Sequence, residues 1–168
     1  MTHMYFIDTS VLLDILDVPR HCTPKGPESK KKLTAILSNN SEKVSIPLAV
    51  IIETGNFINH IKKQSERISC EKRFIEILEF LVDDQNDSWN LSDHEYTLAD
   101  LNNIITTANN LFPSQIGIGD AFIIESYNSY CNSFCALKDY TQRFPTEIWS
   151  YDKHINWYKN YSGPIADK

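Results

Sequence analysis

A chain of 168 residues, 42% of them hydrophobic, fits a single domain spanning residues 1–168 with its own buried core, and excludes disordered and collagen-like classes. No apolar run nears the ~20 residues a membrane helix needs. Asp8 also interrupts the apolar start where a signal peptide needs a continuous core, so a cytoplasmic protein with no membrane partner is expected. The net charge of −6 is uneven: residues 1–75 carry 11 Lys and Arg against 8 Asp and Glu, and residues 76–168 carry 5 against 14. An acidic balance argues against simple charge-driven nucleic-acid binding, but a carboxylate cluster built for divalent cations also makes a chain acidic.

Met4 to Ile7 reads as a short buried strand ending at Asp8. Thr9-Ser10 can cap a helix running to Leu16, and Pro19, Pro24, Gly26 and Pro27 mark a loop over residues 18–27. Glu28 to Ser38 is an amphipathic helix with a basic face, and Lys43 to Ile46 a second strand. Pro47 suits the first turn of a helix continuing through Ile61, in which Gly55 needs a packing reason. Glu71 to Val82 carries a strong helical apolar stripe, followed by an acidic turn at 83–87 and a brief extended piece at Trp89-Asn90-Leu91. Ser92 and Glu95 have capping-box spacing, opening a helix whose apolar face is Leu98, Leu101, Ile104, Ile105, Ala108 and Leu111. After a loop at 113–119, Asp120 opens a helix to about Tyr130. Glu147 to Tyr151 is a last strand ending at Asp152, and His154 starts a last helix. Short strands alternating with helices predict an α/β fold with a small, mostly parallel sheet between helical layers. Cys22, Cys70, Cys131 and Cys135 form no C-x-x-C motif and predict free or buried thiols.

In parallel α/β sheets, ligands bind beyond the carboxyl ends of the strands. Asp8 and Asp152 each follow a predicted strand directly. Glu53 lies about two turns into the helix after the second strand, and Asp120 opens a helix after a glycine-containing loop. Each has a structural reading of its own: Asp8 as a helix cap, Asp120 as a helix-dipole partner, Asp152 as a turn residue. Glu53 lies among Leu48, Val50, Ile51, Ile52, Phe57 and Ile58. It either occupies the one wet stripe of its helix, or it is buried at a cost of several kcal/mol unless paired or coordinated. Four carboxylates at converging ends make an oxygen-rich site suited to Mg²⁺ or Mn²⁺.

Asp8-Thr9-Ser10 after an apolar strand, Glu53-Thr54-Gly55-Asn56-Phe57, Gly119-Asp120-Ala121-Phe122 and Ser150-Tyr151-Asp152-Lys153-His154 follow one another over nearly the whole chain. In that order they resemble the four signatures of PIN-domain nucleases, many of which are toxin ribonucleases of bacterial toxin–antitoxin modules. The resemblance implies a three-layer α/β/α fold and cleavage of RNA dependent on Mg²⁺ or Mn²⁺. Asp8, Glu53, Asp120 and Asp152 would be the acidic metal-site residues, supported by Thr9, Ser10 and Ser150. It also implies an antitoxin protein and a homodimer as partners. Residues 17–32 and 131–146 read as insertions relative to the compact toxins.

For the RNA backbone, Lys30, Lys31, Lys32, Lys62, Lys63 and Arg67, with Lys72 and Arg73, are candidate contacts, against the alternative of solvated helix faces. Tyr127, Tyr130, Trp149, Tyr151, Trp157 and Tyr158 are candidates to stack on bases, with core packing the alternative. A related metal-dependent DNA nuclease and a catalytically silent PIN-like module that binds RNA or protein are the competing readings. Gly117-Ile118-Gly119 lacks the Lys and spacing of a phosphate-binding loop.

Overall fold

The computed structural model describes residues 3–83, 86, 88–91, 98–111, 117–135 and 146–156. His3–Ile7 forms β1, buried along most of its length as a strand covered on both faces must be. Thr9–Ile15 follows as α1, Gly26–Leu37 as α2 and Glu42–Ile46 as β2. Leu48–Asn59 is α3, Gln64–Val82 is α4 and Trp89–Leu91 is β3. Leu98–Leu111 is α5, Ile118–Cys135 is α6 and Thr146–Trp149 is β4, after which residues 153–156 are helical.

The strands form one sheet in the order β3-β2-β1-β4, and every pairing is parallel. The α/β class read from the alternating pattern is what the chain adopts. Tyr5 stands opposite Val44 on one side and Glu147 on the other, and Ile7 opposite Trp149. From β1 the chain steps outward to β2 and β3, then returns to the other side of β1 as β4. Right-handed crossovers put those two directions of travel on opposite faces of the sheet, and the crevice between β1 and β4 is where they part.

One large core fills the sheet and its helices, with Phe6, Ile7, Leu12, Leu16, Ile36, Ile46, Ile123, Ile124 and Ile148 almost wholly buried. Ile104, Ala108 and Ala121 form a separate small cluster between α5 and α6. Phe6 meets the edges of Tyr127 and Tyr130 at 6.0 and 5.5 Å, so these two tyrosines serve packing rather than base stacking. A Cβ on Gly55 would lie 3.6 Å from the Phe74 ring, which is the close approach of α3 to α4 that favours a small residue.

Several boundaries differ from the sequence reading. Asp8, not Thr9 or Ser10, occupies the N-cap of α1, and Pro47 is the N-cap of α3 rather than its first residue. The fourth helix begins at Gln64, two turns before its apolar stripe, because Gln64 to Ser69 continue it on a polar surface. The α6 helix runs on to Cys135 through a polar stretch. On α5 only Ile104 and Ala108 of the anticipated face are buried among the described side chains, while Leu101 and Ile105 are exposed. Most of the acidic turn, the Ser92–Glu95 capping box, Trp157 and Tyr158 lie outside the described residues. Cys22 and Cys70 are free thiols, as anticipated.

Candidate functional site

The crevice at the carboxyl ends of β1 and β4 is built by their ladder. The Asp8 N–H donates to the Trp149 carbonyl at 3.0 Å, which sets Asp8 beside Ser150. The Asp8 carbonyl then accepts from Val11 and Leu12 and starts α1. Its carboxylate makes no capping bond. Instead Oδ2 accepts from the Ser10 and Ser150 hydroxyls, each at 2.6 Å, with the residue only 4% exposed. Asp8 is therefore the N-cap residue of α1, as one of its readings had it, but through its backbone alone, and its carboxylate is bonded to two hydroxyls rather than to the helix amides.

The other acids are held in the same manner. Thr9 Oγ1 donates to Glu53 Oε2 at 2.6 Å, joining the first turn of α1 to α3. The Gly117 N–H donates to Asp120 Oδ2 at 2.9 Å, and the His154 N–H to Asp152 Oδ1 at 2.6 Å. Ser150 also accepts from the Asp152 N–H at 2.9 Å, so one hydroxyl links Asp8 to Asp152. Ser10 Oγ likewise accepts from the Tyr151 N–H at 3.1 Å. Each of the four carboxylates is thus engaged through one oxygen, and its second oxygen takes no hydrogen bond among the described residues. None of the four is paired with a Lys or Arg there; the described ion pairs all involve other acids.

Glu53 itself is exposed, so of its two readings the wet stripe is the correct one. That stripe turns toward the site: a Cβ on Gly119 would lie 3.5 Å from Glu53 Oε2.

Charge ties the group together. Burial pushes the Asp120 carboxyl up to about 6, the Gly117 amide opposes that rise, and the negative charges of Asp8, Asp152 and Glu53 add to it. The starts of α1, α6 and the helical turn at 153–156 adjoin Asp8, Asp120 and Asp152, and their amide dipoles offset part of the repulsion. The cluster is electrostatic rather than a closed ligand shell. Among the described residues no three His, Cys, Asp or Glu side chains are gathered as a ready-made metal site. Both statements hold, because like-charge repulsion acts over longer distances than coordination.

The donor set fits a hard divalent cation: carboxylate oxygens with hydroxyls behind them and no soft ligand. Asp8, Glu53, Asp120 and Asp152 would hold it, with Thr9, Ser10 and Ser150 orienting them as outer partners.

The anticipated cations divide. Lys30 pairs with Asp17. Lys32 pairs with Glu147 at 2.7 Å and lies over the Tyr5 and Trp149 rings. Arg73 is consumed by structure, with Nε and Nη2 donating to the Leu16 carbonyl at 3.0 and 2.6 Å. Arg67 faces Glu71 at 3.4 Å, and Lys31 is exposed. Lys62 and Lys63 line a separate cavity. Lys25 was missed: its Nζ lies 4.3 Å from the centre of the Tyr151 ring, one residue before Asp152. It sits in a Pro- and Gly-rich loop, where no periodicity announces it. Asp14 was missed as well. It is fully buried and accepts from the Thr23 hydroxyl at 2.7 Å and from the Thr23 N–H, fastening the loop after α1.

No known family profile and no curated protein matches the chain. No helix among the described residues is long and apolar enough to cross a membrane.

Proposed function

We propose that the protein is a divalent-metal-dependent nuclease that hydrolyses phosphodiester bonds, with RNA as its substrate. One observation carries the reading: four carboxylates from distant parts of the chain are each pinned through one oxygen by a hydroxyl or a backbone amide. A purely structural set of acids at a sheet edge would be neutralised by lysine or arginine, and these are not so paired among the described residues. The preference for RNA over DNA, the toxin role, the antitoxin partner and the homodimer rest on the resemblance to PIN-domain nucleases, and a cytoplasmic location on the interrupted apolar start of the chain.

When bound, Mg²⁺ or Mn²⁺ would supply Lewis-acid polarisation of the phosphodiester and cancel the repulsion between substrate and acids. The chain's own residues do the rest. Ser10 and Ser150 fix the Asp8 carboxylate in one orientation, so its unbonded oxygen is presented without a rotamer search. Thr9 does this for Glu53, and the Gly117 and His154 amides do it for Asp120 and Asp152. Lys25, its Nζ 4.3 Å from the centre of the Tyr151 ring, would meet a substrate phosphate that crosses the acids.

The test is cleavage of a panel of single-stranded and structured RNAs, with DNA alongside, in Mg²⁺ or Mn²⁺ and then in chelator. Wild type should cleave only with metal, and Asp8→Asn and Asp120→Asn should each abolish cleavage while keeping the fold. Intact RNA and DNA, together with no calorimetric binding of Mn²⁺ by wild type, would overturn the proposal and leave a binding module.

A further inference from the structure

A cavity of about 350 Å³ opens where the loop after α1 meets the end of α3, lined by Arg20, His21, Phe57, His60, Lys62 and Lys63 with Glu66. Its charge is lopsided. Glu66 is the single acid of the lining and is taken by Lys63 at 2.8 Å. Arg20 and Lys62 are exposed and carry no ion pair among the described residues. The His60 Nδ1–H donates to the Asn56 carbonyl at 2.7 Å, which fixes that ring at the wall. His21 and Phe57 meet with ring centres 4.5 Å apart and form an aromatic floor.

The cavity is related to the acids through α3. Phe57 and His60 stand four and seven residues beyond Glu53, which is one face of a helix, about 6 and 10 Å along its axis. At a rise of ~3.4 Å per nucleotide in a stacked strand, that separation spans a few nucleotides.

We propose that this cavity binds the phosphodiester backbone of single-stranded RNA a few nucleotides from the bond that is cut, with Arg20 and Lys62 on phosphates and the His21–Phe57 pair under a base. Fixed cations beside an aromatic floor are the two parts that single-strand binding uses. An acidic peptide would satisfy the cations but leave the floor and the alignment with Glu53 without use. The proposal rests on the nuclease reading above.

Arg20→Gln/Lys62→Gln, two exposed positions, tests it, with a thermal melt to check folding. The readouts are cleavage of a single-stranded RNA of about 12 nucleotides and of a dinucleotide too short to reach the cavity, plus RNA binding in chelator by fluorescence anisotropy across salt. The double variant should raise KM for the longer RNA roughly tenfold with kcat nearly unchanged, as loss of uniform binding does. Its salt slope should fall by about 1.4, the value for two phosphate contacts on a single strand. Dinucleotide cleavage should match wild type. An unchanged KM and salt slope in a variant that still cleaves would overturn the cavity and leave the nuclease reading intact. If wild type cleaves nothing but binds RNA, and the variant loses that binding, the cavity stands and the nuclease reading falls. Neither cleavage nor binding by wild type would overturn both.

Discussion

Replacing Asp120 by Asn removes a carboxylate that is both partly buried and repelled by its neighbours. Asn keeps an oxygen for the Gly117 N–H, so the local hydrogen bond survives while the charge is removed. Burial first, and then the three neighbouring carboxylates, raise Asp120 from 3.8 to about 6. A carboxyl raised in the folded state costs nothing below the unfolded value, because both states are then protonated. Stability is lost as pH rises through the window from 3.8 to about 6, and the whole cost is present above it. At ~1.4 kcal/mol per pH unit that gap corresponds to at most ~3 kcal/mol. Asp120 is partly exposed, and solvent screening lowers the figure to on the order of 1–2 kcal/mol.

Urea unfolding in chelator over about pH 4 to 8 measures this directly. Asp120→Asn should be indistinguishable from wild type at the acid end and more stable at neutral pH by that amount. Added Mn²⁺ should then reverse the order, since a ligand at a hundred times its Kd stabilises by ~2.7 kcal/mol and the variant has lost a ligand. A variant less stable than wild type at neutral pH in chelator, or a difference that does not vary with pH, would refute the reasoning.

Ser150→Ala removes one of the two hydroxyls on Asp8 and the acceptor for the Asp152 N–H. Loss of such an outer partner should weaken Mn²⁺ binding roughly 10- to 100-fold by calorimetry, and an unchanged affinity would show that the hydroxyl does not orient the acids. Arg73→Ala should destabilise the fold by about 1–3 kcal/mol in urea, because the Leu16 carbonyl at the end of α1 loses both guanidinium bonds. RNA cleavage per folded molecule should be unaffected, and a selective loss of RNA binding would instead make Arg73 a substrate contact.

Local chemistry made much of this fold legible in the sequence. Strands that are buried on both faces read as short apolar runs, and Met4 to Ile7 does so; β2 is buried over Val44 to Ile46 with the polar Ser45 between its two apolar residues. The α/β class follows from their alternation with helices; Asp8, Asp120 and Asp152 stand out because each falls near where a strand ends or a helix opens, and Glu53 because it is the one acid in an apolar helix. Other features had no local signature. The polar first turns of α4 carry no apolar stripe, and the exposed Leu101 and Ile105 of α5 mimic a core face that packing does not use. Lys32 and Arg73 read as free surface cations, yet one is drawn to Glu147 and the other to the Leu16 carbonyl by groups far away in the chain.

The residue types and their spacing, then, were set by the sequence alone: an acid after each of two strands, an acid on the wet stripe of α3, and an acid in the first turn of α6. Their relation to one another was decided by the sheet order. Because β4 returns beside β1 rather than joining the far edge, the Ser150 hydroxyl reaches Asp8 and also receives the Asp152 amide. No pattern of period two or 3.6 encodes a contact across 142 residues; only the parallel ladder between β1 and β4 brings it about.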